Sequence, residues 1–139
     1  MRFRYFDPMQ QEVVEGELVD SDQVAHLVGV VSELRADCCP ALEFADLDGS
    51  SLVLGIAHDR AVVLWTTADG TTRHSVGAHA DHVMFDYFGA CTQVPGHYTV
   101  PLTTAVDAAG GYVDAVSNGA MPAAIGARAP RPSLPFALD

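Results

Sequence analysis

The sequence contains no lysine. Its cations are seven arginines, set against 18 acidic residues for a formal charge of −11. A chain of this charge is repelled by nucleic acid, so a phosphate-contacting role fails at its first requirement. Without lysine, Schiff-base chemistry is also excluded. The three cysteines, two of them adjacent at Cys38 and Cys39, make no disulfide framework and read as small buried thiols. No apolar run approaches the ~20 residues that cross a bilayer. The opening MRFRYFDPMQQEVVEGE carries two arginines but no apolar stretch of the kind a secretion leader needs. These absences predict a soluble, cytoplasmic protein with no membrane partner. HExxH, histidine-partnered CxxC and a glycine-rich phosphate loop are missing as well, so neither a metal nor a cofactor is expected.

What is present suffices for one domain. The chain has 139 residues, 49% of them apolar, enough for a real core. MRFRYF alternates and reads as a strand ended by Asp7-Pro8, with a second short strand through Val13 and Val14. Asp20-Ser21 offers a helix cap. Behind it Val24, Leu27, Val28, Val31 and Leu34 recur at three- and four-residue spacing, predicting a helix over about Asp22 to Arg35. Three strands follow, Ala41 to Asp46, Ser51 to Ala57 and Ala61 to Thr67. The turns at Asp48-Gly49, His58-Asp59 and Asp69-Gly70 make them an antiparallel meander, to which Thr72 to Val76 adds a fourth strand. The second and third are near-continuous apolar runs, the pattern of strands covered on both faces.

From Asp81 to Asn118 the chain reads strand (Val83 to Tyr87), break at Gly89, loop around Pro95-Gly96, then a helix from Pro101. Ala105, Ala108, Ala109, Tyr112 and Val116 share one face of that helix, and Gly110-Gly111 weaken it by about 1 kcal/mol each relative to alanine. Asn118-Gly119 would cap it. The predicted class is α+β: a mostly antiparallel sheet of about five to six strands with two main helices packed on one face. The predicted domain is 1–122, followed by a Pro-rich tail over 123–139.

Three constellations bear on chemistry. His79-Ala80-Asp81-His82 is the densest histidine cluster, but its spacing matches no metal signature. Ser75 and Cys91 are nucleophile types. Neither stands in a strained elbow, and Cys91 has no nearby cation to lower its pKa, although His97 follows it. His82, Asp86, Cys91 and His97 are the residues an enzyme would draw on. Phe85, Tyr87, Phe88, Tyr98 and Tyr112 cluster with Asp81 and Asp86, as at an interface; Phe85 and Tyr112 are expected inside. The acidic surplus would steer the chain onto a basic partner.

The stretch VMFDYFGACTQVPGHYTVPLTTAVDAAGGYV resembles the Imm1 family of bacterial immunity proteins. The resemblance rests on Tyr87-Phe88-Gly89, Val94-Pro95, Val100-Pro101-Leu102, Ala105, Ala108, Gly119 and Pro122. The upstream Asp59 to Gly77 is similar to the family's hairpin, so the likeness spans about Ala41 to Pro122. It implies an antitoxin that plugs a cognate secreted toxin's active site, with deaminases and nucleases among the targets. On that reading the partner contacts are Asp81, Asp86, Tyr87 and Phe88, with His79 and His82 at the rim. A homodimer is allowed but not required. The chain departs from the family at Gly110-Gly111 and at Ala123 to Gly126, where a Trp-bearing strand is expected. Its alanine-rich, lysine-free composition suits an actinobacterial genome. These points leave a second reading open, a related fold recruited as a cofactor-free small-molecule enzyme or ligand carrier.

Overall fold

The computed structural model describes residues 1–18, 20–34, 39–46, 49–78, 81–87 and 90–117, with backbone alone at 39, 86, 87, 90 and 91. The Pro-rich tail, the Asn118-Gly119 cap, His79 and Phe88 therefore lie outside the described residues. Among these residues nine strands and two α-helices follow in the order β1 (Arg2–Asp7), β2 (Glu12–Glu17), α1 (Asp22–Ser32), β3 (Cys39–Ala45), β4 (Ser51–Ala57), β5 (Arg60–Thr66), β6 (Thr72–His74), β7 (Val83–Tyr87), β8 (Ala90–Val94), β9 (Thr99–Pro101) and α2 (Leu102–Ser117). The fold is α+β, as the sequence predicts. Its main path runs β2-β1-β3-β4-β5-β6, with β7, β8 and β9 joining from the side. Among the described residues every pairing is antiparallel except that of β3 with β7.

Alternation along the strands sorts the side chains onto two faces. Leu42 and Phe44 of β3, Leu52, Leu54 and Ile56 of β4, and Ala61, Val63 and Trp65 of β5 turn to the helices. There they meet Val24, Leu27, Val28 and Val31 of α1 and Ala105, Ala109, Tyr112 and Val113 of α2. On the other face Ala41, Val53, Ala57, Val62 and Leu64 meet Val83, Phe85, Val94 and Tyr98. The β7–β8 hairpin is thus a third layer, and the apolar runs of β4 and β5 are buried on both sides, which is why they do not alternate. The Phe85 ring packs against Gly55, where a Cβ would stand 2.7 Å from it.

The first helix is capped by Asp20, whose carboxylate accepts the Asp22 N–H at 3.0 Å. Ser21 occupies the cap position but gives no side-chain bond. Helix α2 begins one residue after Pro101, which closes β9, and the Leu102 N–H donates to the Asp59 carbonyl at 2.8 Å. That bond ties the start of α2 to the β4–β5 turn. Further along the helix the Tyr112 hydroxyl meets Ser50 Oγ at 2.8 Å, both groups buried. A Cβ on Gly110 would meet Ser21 at an ordinary 3.5 Å, and one on Gly111 would meet nothing. Neither glycine is demanded by close packing.

Candidate partner-binding surface

The far edge of β5 serves two strands. β6 pairs with Leu64–Thr66 and β9 with Arg60–Val62. Between them Ser75 bridges the gap: its N–H donates to the Val63 carbonyl at 2.9 Å and its Oγ accepts the Val63 N–H at 2.9 Å. The same hydroxyl donates to the Tyr98 carbonyl. Both capacities of Ser75 are thus spent inside a buried junction, and it serves the fold, not nucleophilic chemistry. The His74 ring stacks on Tyr98 with centroids 3.8 Å apart, its Nδ1 2.8 Å from the Ser75 carbonyl oxygen. Thr99 Oγ1 donates to the Gly96 carbonyl at 2.7 Å.

This junction is the base of the loop cluster that the sequence singles out. The Gly77 N–H donates to the His97 carbonyl at 2.7 Å. A Cβ on Gly77 would overlap the Thr99 carbonyl oxygen, and one on Gly96 would overlap that of Asp81. Backbone meets backbone at both places, which glycine alone permits. Asp81, His82 and His97 are consequently held at one end of the hairpin layer, all three exposed. His97 packs edge-on to Tyr98 at 4.7 Å.

The other candidates lie elsewhere. In the β7–β8 register Asp86 stands opposite Cys91, three pairs along from Val83 and Val94, which follow His82 and precede the His97 turn. His82 and His97 thus share one end of the layer, while the backbones of Asp86, Tyr87 and Cys91 lie toward the other. The outer face between them presents Met84 and Gln93 to solvent. Among the described residues no three His, Cys, Asp or Glu side chains gather as a metal site, and no helix is long and apolar enough to cross a membrane. A void of about 20 Å³ lies under the hairpin, lined by Ala41, Val53, Gly55, Val62, Leu64, Phe85, Thr92 and Val94. It is too small and too apolar for a substrate.

A larger groove, about 300 Å³, opens where the hairpin does not reach. It is lined by Arg2, Phe3, Arg4, Glu15, Glu43, Ala45 and Asp46, and contains none of the sequence candidates. Arg2 pairs with Glu15 at 3.4 Å and Arg4 with Glu43 across β1–β3. The polar alternation of MRFRYF is the sequence signal for this open face.

The family model described as immunity protein Imm1 matches residues 15–129, most of the chain. No curated protein matches it.

Proposed function

The chain belongs to the Imm1 family of immunity proteins, and from that premise we propose that it binds a cognate secreted toxin and occludes its active site, within the cytoplasm of the producing cell. We take the toxin to be a nucleic-acid-targeting deaminase or nuclease. The observation that carries this finer reading is the charge of −11 in a chain without lysine. An enzyme that handles nucleic acid has a basic cleft, and an acidic inhibitor competes there with the polyanion while gaining association rate from long-range attraction. The contacts are Asp81 and His82, exposed on the glycine-braced end of the hairpin layer, together with His79, Asp86, Tyr87 and Phe88.

Co-expression with the toxin domain encoded beside this chain tests the proposal. Growth should be restored, and binding of the purified pair should weaken as salt is raised. Asp81→Arg should lower affinity about tenfold or more, as expected for a charge reversal facing a basic cleft. Failure to rescue, or rescue without a complex, overturns the proposal.

A further inference from the structure

Strand β2 ends the sheet, and among the described residues nothing pairs with its outer side. The ladder shows which groups are left free. The Leu18 N–H donates to the Met1 carbonyl at 2.8 Å. Counting back from that bonded pair, antiparallel alternation gives Gly16, Val14 and Glu12 to β1. It turns the N–H and C=O of Val13, Glu15 and Glu17 outward. These three residues also belong to the face that the hairpin leaves open, where Glu15 borders the groove with Glu43 and Asp46. Glu12, Val13, Glu15 and Glu17 are all exposed.

We infer that this edge accepts an extended, arginine- or lysine-bearing segment of a partner protein, added as a further antiparallel strand. The backbone groups of Val13, Glu15 and Glu17 supply the hydrogen bonds. On that face Glu15, Glu17, Glu43 and Asp46 outnumber Arg2 and Arg4, which pair with Glu15 and Glu43, and the acidic surplus selects basic side chains at alternate positions. A second copy of the chain is a poor occupant. Pairing two β2 edges would bring the glutamates of both copies together in one ladder, and like charges crowded in this way destabilise it. The inference goes beyond the proposed function and does not need it, since the surface is separate from the end that carries Asp81 and His82.

Amide hydrogen exchange of the full chain at low salt, with and without an eight-residue peptide of alternating arginine and valine, reads this edge directly. The amides of Val13, Glu15 and Glu17 should slow about tenfold, with no change at Val63 in the sheet centre. The same peptide with alternate amides N-methylated keeps its charge but loses its donors, and should bind about tenfold more weakly. Equal affinity for the two peptides would mean that the glutamates only guard the edge against association, and the inference falls. It falls also if protection appears at Asp81 to Val83 in place of β2, or if β2 of the free chain becomes protected as protein concentration rises, which assigns the edge to a second copy. No toxin enters this experiment, so its outcome is independent of the rescue assay.

Discussion

Strands β4 and β5 lie between two layers, whereas β1 and β2 are covered on one side only by the described residues. In the centre, helices close one face and the β7–β8 hairpin the other, and residues of both parities are buried. In the wing, Phe3, Tyr5 and Val14 pack toward the helices, while Arg2, Arg4, Glu15 and Glu43 line an open groove. The two regions share one sheet and one backbone geometry. What differs is how many side chains leave water, and each large apolar group fully buried contributes about 1.5–3 kcal/mol. The centre therefore sets the stability of the fold, and the wing is free to carry charge.

The widest test of that division removes the ring that joins the hairpin to the sheet. Phe85→Ala should cost about 3–5 kcal/mol in denaturant unfolding. A methyl placed under the ring by Gly55→Ala should cost about 1–3 kcal/mol, but much less in the Phe85→Ala background, because the clash is with that ring. Additive losses would show that the hairpin is not held at this contact. On the helix side, Tyr112→Phe leaves the packing but deletes the bond to Ser50; a loss of about 1 kcal/mol is expected. In the wing, Val13 is 45% exposed, and Val13→Ala should stay within about 0.5 kcal/mol. A large loss there would erase the contrast.

The smallest effect is a matter of pH and lies in the β5–β6 turn. The Thr67 hydroxyl and the Thr71 N–H, the latter at 3.0 Å, bond to the Asp69 carboxylate and lower its pKa from 3.8 to about 2. A carboxylate held below its unfolded value stabilises the fold above about pH 4. That contribution is lost as pH falls through about 2. Asp69→Asn should therefore be less stable than the parent at neutral pH, and the difference should narrow between pH 4 and 2. Parallel acid-unfolding curves would remove Asp69 as the cause.

Much of the fold was legible because the two kinds of strand read differently. MRFRYF alternates and is half open; SLVLGIA and AVVLWTT do not and are covered twice. The helix periods of Val24 to Val31 and of Ala105 to Tyr112 placed both helices on one face. Two strands escaped notice. ACTQV, which forms β8, is short and polar, and Gly89 ahead of it reads in the sequence as the end of a strand, with no sign that the next segment pairs back. β9 is three residues that pair only because β5 offers them an edge. The parallel contact of β3 with β7 joins residues more than 40 positions apart, and no local pattern encodes it. At the candidate surface, the loop position of Asp81 and His82 was readable from composition. The bracing by Ser75, Thr99 and the two glycines was not, since it depends on backbone atoms brought together by topology. Tyr98, whose placement the sequence left open, is buried against His74.

The backbone contacts at Gly77 and Gly96 also govern what can change. A side chain at Gly77 would displace β9 and one at Gly96 would displace the backbone of Asp81, while the side chains of Asp81, His82 and His97 are exposed. Exposed residues mounted this way can be rewritten one at a time without loosening their base. A library that varies these three and leaves the two glycines fixed should yield folded proteins throughout, so the surface of this end can diverge while its support stays constant.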